Sequence, residues 1–321
     1  MKEFHAEFRR AMVSEVPLVN LVAKYLIRTK GKQLRPMLVL LSAKACGPVN
    51  ESTYRAATLV ELLHTATLIH DDVIDDSELR RGFASIKALW RNKVGVLMGD
   101  YLLAQGLLRT VKTNEYHFLE ITSNAVRRMS EGELYQLQKA RQLNIDEAAY
   151  FRIIADKTAS LLSTCCELGA ASIIHPLLKK EGDGGWLGYQ VALKNYGESI
   201  GMAFQIRDDL FGFESKNGSA GKPAESDLKE KKLTLPLIHS LSKTDKGTKK
   251  RIISLVKNGK AAKEGYNEVI DFVASNGSIA YTRAKAEEYA AQAIEALMVL
   301  PESESRNALE AFARYVIERD H

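Results

Sequence analysis

The sequence has few cysteines, few prolines and no long uncharged apolar run. Its three cysteines, Cys46, Cys165 and Cys166, have neither CxxC spacing nor an accompanying histidine pattern. They therefore predict reduced thiols rather than a disulfide scaffold or a cysteine-ligated metal site. Only seven prolines interrupt 321 residues, which leaves long stretches available for helices.

Neither charge nor hydropathy points to nucleic acid or to a membrane span. Lysine and arginine total 45 against 40 acidic residues, and this excess is too small and too dispersed to indicate a nucleic-acid surface. No stretch approaches the ~18 apolar residues that a bilayer span requires. The first residues also lack the apolar core of a signal peptide. We expect a cytoplasmic protein with no transmembrane segment, and peripheral contact with a membrane stays open.

The hydrophobic pattern is helical along nearly the whole chain. Apolar residues recur at spacings of three and four, and the alternation typical of strands is scarce. No composition shift, repeat or low-complexity tract marks a boundary, so we predict an all-α chain forming one domain over residues 1–321. The clearest helical windows are residues 60–74, 94–111, 119–137, 148–174, 190–213 and 278–300.

Two acidic runs stand out, DDVIDD at residues 71–76 and DDLFG at residues 208–212. Their apolar flanks predict buried helices, where a carboxylate is costly unless it is paired or bound to metal. On a helix, Asp71 and Asp75 point about 40° apart and lie ~5.4 Å apart along the axis, with Asp72 alongside. This arrangement suits Mg²⁺, which prefers oxygen ligands and shares them with phosphates. The competing interpretation, a solvated acidic helix start, is disfavoured by the uncharged flank at residues 65–69.

Basic residues are distributed around these runs. Lys32 and Arg35 lie at a predicted helix start, where free amides favour an anion. Each basic pair alone is typical of a solvated surface, but diphosphates need both Mg²⁺ and cationic side chains. The further candidates are Arg80, Arg81, Lys157 with Thr158, Lys222, and the pair Lys231 and Lys232.

An ordered set of motifs resembles the all-trans isoprenyl diphosphate synthases, also called polyprenyl synthetases. The motifs are GKQLRP, HTATLIHDDVIDDSELRRG, GDYLLAQG, EGELYQ, KTASL, GMAFQIRDDLFGF, GKPAESDLKEKKLTLP and ALEAFARYVIERD. They cover nearly the whole chain. The resemblance implies a single large helical bundle of the isoprenoid synthase type around a central substrate cavity, and a homodimer. It also implies about three Mg²⁺ ions per active site.

The same resemblance assigns roles to individual residues. It implies an Mg²⁺-dependent ionisation of an allylic diphosphate to a carbocation, attack by isopentenyl diphosphate, and loss of a proton. Isopentenyl diphosphate would be bound by Lys32, Arg35, His64 and Arg81. The allylic diphosphate would be bound by Arg80, Lys157, Thr158, Gln205, Lys222 and Lys232. The metal ligands would be Asp71, Asp72, Asp75, Asp208 and Asp209, and the catalytic set Asp71, Asp72, Asp75, Arg80, Lys157 and Asp208.

The second acidic run departs from the family pattern. Gly212 stands where the family usually has a last aspartate, so this run supplies only Asp208 and Asp209. We favour the interpretation that this pair suffices, because every other matched position is intact. The alternative is a non-catalytic subunit of a heteromeric synthase. A class I terpene cyclase is a further alternative, but its second motif would need a hydroxyl residue at position 212 and a glutamate at Lys216.

Product length depends on the residues that precede the first run. Ala66 and Thr67 are small, whereas bulky aromatics at these positions stop the product short in the resembling family. Small residues would let the growing chain pass, which favours a hexaprenyl to octaprenyl product of the kind used for quinone side chains. The competing interpretation is that Ala66 is only a helix-packing residue and that the floor of the tunnel lies elsewhere. A short-chain farnesyl or geranylgeranyl diphosphate synthase is the alternative function.

Overall fold

The computed structural model describes residues 1–29, 31–80, 82–142, 146–173, 184–214, 233–257 and 263–319. Within these ranges the first helices are α1 (Lys2–Ala11), α2 (Pro17–Arg28), α3 (Leu34–Cys46) and α4 (Glu51–Ile74). A short hairpin of β1 (Leu79–Arg80) and β2 (Phe83–Ala84) precedes α5 (Ile86–Lys112) and α6 (Tyr116–Gln142). Then come α7 (Glu147–Ile154), a π-helix (Ala155–Ala159), α8 (Ser160–Ile173) and α9 (Gly184–Glu214). The last elements are α10 (Leu235–Ser242), α11 (Lys246–Lys257), α12 (Lys263–Ser275), α13 (Ser278–Ala296), a 3₁₀ turn (Leu297–Val299) and α14 (Glu304–Glu318).

The all-α prediction is confirmed. In its described residues each of the six predicted helical windows falls on helix, except that Leu300 follows the last 3₁₀ turn. In the described ranges the sheet content is the two-residue pairing of Leu79 with Ala84 and Arg80 with Phe83. None of the helices described is both long enough and apolar enough to cross a membrane.

Contacts divide the chain into two units. The first unit comprises residues 1–124, 164–193 and 299–309, and the second comprises residues 125–163, 194–298 and 310–321. Several boundaries fall inside helices, in α6, α8, α9 and α14, rather than in loops. The single-domain assignment stays a prediction.

Helix α4 is the centre of the first unit. Asn50 caps its N-terminus by accepting from the Thr53 backbone N–H at 3.0 Å, while the Thr53 hydroxyl accepts from the Asn50 N–H. Helix α5 packs closely on α4 through glycines. A Cβ on Gly95 would lie 2.8 Å from the Val73 side chain, and one on Gly106 would lie 2.9 Å from Leu59. The glycines therefore permit the close approach of these two helices.

The cysteines are buried in the first unit and none of them forms a disulfide. Burial raises the pKa of the Cys46 and Cys166 thiols to about 12, and it raises the pKa of Cys165 as well. These thiols stay protonated at neutral pH and pack as small apolar residues. The prediction of reduced structural cysteines is confirmed.

The second unit is organised around α9 and the π-helix. Its apolar core includes Ile206, Leu210, Leu235, Ile252 and Val273. Two glycines of α9 permit close backbone contact with the π-helix and α8. A Cβ on Gly201 would lie 2.8 Å from the Ala159 Cβ, and one on Gly197 would lie 2.7 Å from the Ser163 Cα. The segment that carries Lys157 and Thr158 is thereby held directly against α9.

Candidate active site

The first acidic run lies at the C-terminal end of α4. The helix ends at Ile74, and Asp75 follows as its cap, with its backbone N–H donating to the Asp71 carbonyl at 2.8 Å. Asp71 and Asp75 therefore remain one helical turn apart, as predicted. The run is not buried throughout, contrary to the prediction from the sequence. Asp72 is only 3% exposed, whereas Asp75 and Asp76 are exposed to solvent. The run is the solvent-facing end of a buried helix.

Its position makes the negative charge costly. A helix C-terminus carries about half a negative charge, so carboxylates there are disfavoured unless a cation is near. Arg80 supplies one such cation for Asp72, donating from Nε at 2.8 Å and from Nη2 at 2.5 Å to the same oxygen, Oδ1. Lys87 pairs with Asp76 at 2.7 Å. The arrangement favours further positive charge beside Asp71 and Asp75.

The β1–β2 hairpin positions Arg80. Tyr25 of α2 donates its hydroxyl hydrogen to the Ala84 carbonyl at 2.7 Å, and Ala84 pairs with Leu79 next to Arg80. At the base of the hairpin, Ser85 donates from its backbone N–H to the Glu78 carbonyl at 2.9 Å. Tyr25 also packs edge-on against Trp90, with ring centroids 5.5 Å apart. This support was not predicted from the sequence, because Tyr25 lies 59 residues from Ala84.

Arg35 and His64, which the resemblance assigns to the same substrate, are in contact. Arg35 lies in the first turn of α3 and its Nη1 is 2.9 Å from Nε2 of His64, which is 8% exposed. Since arginine cannot accept a hydrogen bond, the Nε2 atom of His64 accepts and the ring proton lies on Nδ1. Lys32 is exposed just before α3. The other residue predicted for this group, Arg81, lies outside the described residues.

A pocket in the first unit is lined by both His64 and Arg80. Its lining includes two carboxylates, Glu61 and Asp72, together with the basic side chains of His64 and Arg80. Its other walls come mainly from α1, α2, α4 and the hairpin, through Phe8, Tyr25, Leu26, Leu68, Ile69, Phe83 and Ile86 among others. Candidate isopentenyl and allylic diphosphate residues thus line one concavity. Apolar walls with a few convergent polar groups are typical of a small-molecule site.

In the second unit a hydrogen-bonded chain connects three predicted residues. Thr158 donates to Oε1 of Gln205 at 3.0 Å, and Nε2 of Gln205 donates to Oδ1 of Asp209 at 2.8 Å. The Tyr150 hydroxyl donates to the second oxygen of Asp209, also at 2.8 Å. Asp209 is therefore held in place by two neutral donors. Tyr150 is an addition to the predicted set.

Lys157 lies on the π-helix and pairs with α6. Its ammonium forms an ion pair with Glu133 and donates to Gln136 Oε1 at 3.4 Å. Glu133 is not among the site residues predicted from the sequence. A π-helical turn shifts the following side chains relative to an α-helix, and such turns are frequent at functional sites. Here the π-helical turn contains both Lys157 and Thr158.

Asp208 pairs with a residue from the far end of the chain. Arg319 donates to Oδ1 of Asp208, and burial raises the pKa of this carboxyl, an effect that Arg319 opposes by stabilising the charged form. Arg319 lies in the motif ALEAFARYVIERD but was not singled out from it. The remaining predicted residues, Lys222 and Lys232, lie outside the described ranges.

The donor set fits Mg²⁺. In the described part of the chain no three His, Cys, Asp or Glu side chains are arranged to hold a metal ion by themselves. Mg²⁺ is usually held by one or two carboxylates, with waters and substrate phosphates completing its octahedron. Asp71 with Asp75, and Asp208 with Asp209, offer oxygen ligands of this kind.

Ala66 and Thr67 occupy different faces of α4. Helical spacing places Ala66, only 1% exposed, between Leu62 and Ile69, which both lie near the α5 glycines. Thr67 lies about 100° around the helix from Ala66 and about 40° from Asp71, and its hydroxyl donates to the His64 carbonyl at 2.9 Å. The assignment of product length to these two residues stays a prediction.

Comparison with known proteins places these features in a family context. Residues 16–273 match the polyprenyl synthetase family. The octaprenyl diphosphate synthase of Escherichia coli K12 is 33% identical over 320 residues, covering all of this chain and 96% of the relative. Among solved structures, a decaprenyl diphosphate synthase from Rhodobacter capsulatus superposes with a TM-score of 0.91 at 35% identity, covering 100% of this chain and 96% of the other. A polyprenyl synthase from Caulobacter crescentus, complexed with calcium and isoprenyl diphosphate, gives 0.86 at 32% identity, covering 100% and 95%.

The Tyr25 hydroxyl makes a measurable contribution to the hairpin. We expect Tyr25→Phe to lower the free energy of unfolding by about 1 kcal/mol, because it leaves the Ala84 carbonyl without this donor. Tyr116→Phe is the matched control, since its hydroxyl bonds to Asn114 at an exposed position. Urea denaturation of both variants checks this. Equal effects of the two substitutions would show that the Tyr25 bond does not hold the hairpin.

Proposed function

The chain belongs to the polyprenyl synthetase family, and from this premise we propose that it is a prenyltransferase that makes a long-chain all-trans polyprenyl diphosphate. Its substrates are isopentenyl diphosphate and an allylic diphosphate. The observation that carries this proposal is the full-length likeness to octaprenyl and decaprenyl diphosphate synthases.

The reaction is an alkyl transfer. The allylic C–O bond breaks with its electron pair leaving on the diphosphate, the double bond of isopentenyl diphosphate attacks the allylic carbon, and a proton is lost to form the new double bond. The family depends on Mg²⁺, which supplies positive charge to the departing diphosphate when bound. We assign Asp71, Asp72 and Asp75 in the first unit and Asp208 and Asp209 in the second to these ions, about three per active site.

The side chains of the first unit bind and orient anions. Arg35 is held by His64, so its guanidinium is oriented before any diphosphate arrives. Such preorganisation reduces the entropy lost on binding. Together with Lys32 and Arg81 these residues form the proposed isopentenyl diphosphate site. Arg80, held by Asp72, is assigned to the allylic diphosphate, and its planar fork suits phosphate oxygens.

The second unit supplies further allylic diphosphate ligands. Lys157 contributes a cation whose present partner is Glu133, and Thr158 and Gln205 contribute neutral groups linked to Asp209. Lys222 and Lys232 complete the proposed set. The likeness to a structure with calcium and isoprenyl diphosphate supports a site that takes a divalent ion and a diphosphate together.

Two features support a long product and a dimer. Ala66 and Thr67, which precede Asp71 on α4, both have small side chains. A row of exposed apolar residues runs along one side of α5, including Leu97, which is 58% exposed, with Val96, Leu107, Leu108 and Val111. An apolar row of this kind on a helix surface suits a second copy of the chain, as the family resemblance implies.

The assay that tests the reaction compares farnesyl diphosphate alone, isopentenyl diphosphate alone, and the two together. With Mg²⁺ we expect product only when both farnesyl diphosphate and isopentenyl diphosphate are present, and loss of product when EDTA removes the metal. Mass analysis of the extracted prenyl alcohols is the measurement. Hydrocarbon from farnesyl diphosphate alone would indicate a cyclase, and no turnover in any mixture would indicate a non-catalytic subunit.

Product length is tested at position 66. We expect Ala66→Phe to shorten the product by at least one isoprene unit while condensation continues, since the larger ring narrows the path of the growing chain. Thr67→Phe tests the neighbouring face of the helix, about 100° away, in parallel. Because Ala66 is buried, overpacking of about 1–3 kcal/mol is a competing effect, so melting curves accompany the product analysis. Unchanged length from a folded Ala66→Phe enzyme would contradict the assignment.

The dimer is tested on α5. We expect the protein to sediment at about twice the chain mass, and Leu97→Glu to shift it to the monomer because a buried unpaired charge is costly. Lys112→Glu, at the end of the same helix, is the control for a charge change alone. Sedimentation velocity distinguishes these species. A wild-type monomer, or a dimer insensitive to Leu97→Glu, would contradict the proposal.

A further inference from the structure

We propose that Arg319 sets the metal affinity of the second acidic run, so that Asp208 and Asp209 take up a divalent ion only together with a diphosphate. The inference deepens the proposed function and depends on its assignment of these aspartates as metal ligands. It starts from the ion pair between Arg319 and Oδ1 of Asp208. The pair places a fixed cation directly on the leading carboxylate of the run.

Arg319 is anchored independently of Asp208. Its guanidinium carbon lies 3.9 Å from the centroid of the Phe204 ring and 5.2 Å from that of Phe211. Its Nη2 also donates to the Phe204 carbonyl at 3.2 Å, and the side chain is only 11% exposed. Stacking on aromatic faces and a backbone hydrogen bond would persist if the carboxylate turned toward a metal. Arg319 would therefore stay beside Asp208 when a metal ion binds.

The backbone of Arg319 is held as well. Arg207 donates from Nη2 to the Arg319 carbonyl at 3.1 Å, and its own side chain is 8% exposed. Arg207 pairs in turn with Glu214, which also pairs with Arg283 at 2.5 Å. This network ties the end of α14 to α9 at the level of the acidic run. The positive charge of Arg319 is thus a permanent part of the second run.

The net negative charge that the second run offers to a metal ion is small. Asp208 and Asp209 contribute two negative charges, Arg319 cancels one, and Gly212 contributes none. Both oxygens of Asp209 already accept hydrogen bonds, from Gln205 and from Tyr150. The Asp208 side chain is 40% exposed, so an ion can reach it, but one of its oxygens is shared with Arg319.

A diphosphate would supply what the run lacks. Mg²⁺ commonly combines one or two carboxylates with phosphate oxygens, so a weak carboxylate pair becomes an adequate site when phosphate is present. The missing aspartate and the fixed arginine act in the same direction. Both lower the affinity for a metal alone, which makes metal uptake at this run dependent on the diphosphate.

The experiment counts bound Mn²⁺ by electron paramagnetic resonance in the full-length protein, with and without inorganic diphosphate. Removing a unit positive charge from the leading carboxylate of the run is expected to raise the affinity for Mn²⁺ roughly tenfold or more. We expect Arg319→Gln to show this gain at one additional Mn²⁺ without diphosphate, and Arg319→Gln combined with Asp208→Asn to lose it. Arg314→Gln is the matched control, because Arg314 lies on α14, just before Arg319, and pairs with Glu310 at an exposed position.

Arg319→Met is a second variant that keeps apolar contact with the two phenylalanine rings while removing the charge. The same gain in both charge-removing variants supports the proposal. An unchanged or lower Mn²⁺ affinity, in variants that melt within a few degrees of Arg314→Gln, would show that Arg319 is only structural and would overturn it.

The proposed function is tested separately by Asp208→Asn alone. With diphosphate present we expect this variant to bind one Mn²⁺ fewer than the wild type. If the count does not change, the second run holds no metal, and both the metal assignment and the inference drawn from it fail. If the count falls but Arg319→Gln has no effect, only the role of Arg319 is wrong.

Discussion

The central physical constraint in this protein is the cost of placing carboxylates at positions where helices and burial disfavour negative charge. Asp72 shows it most clearly, because it is 3% exposed at the negative end of α4. Arg80 offsets that charge, and a short hairpin, supported by Tyr25, holds Arg80 in place. The local architecture around the first acidic run follows from this one requirement. The same cation can then serve a diphosphate.

The second acidic run meets the constraint in a different way. Neutral donors, Tyr150 and Gln205, hold Asp209 in place, while the cation on Asp208 comes from Arg319 at the end of α14. With Gly212 in place of a third carboxylate, this run carries less negative charge than its sequence motif would suggest. The two runs are therefore chemically unequal. The proposed consequence is a site that depends on diphosphate for its metal.

Backbone geometry complements the charges in the second unit. The π-helical turn carries Lys157 and Thr158, and Gly201 of α9 permits the neighbouring residue Ala159 to approach closely. A side chain at Gly201 would force the two segments apart and would lengthen the Thr158–Gln205–Asp209 chain. Small residues and an irregular helix turn thus act together to bring polar groups into hydrogen-bonding distance.

The sequence alone determined the helical class, the two acidic runs, the cationic candidates and the family, since periodicity and residue order are local properties of the chain. It also indicated that Arg35 and His64 share a role, and they lie 2.9 Å apart. Only the tertiary structure decided which charges are paired. Arg319 and Asp208 are 111 residues apart, and Tyr25 and Ala84 are 59 apart. Such contacts depend on how distant helices pack, which side-chain type and spacing do not specify. The burial of Asp72 beside an exposed Asp75 likewise depends on where α4 ends relative to its neighbours.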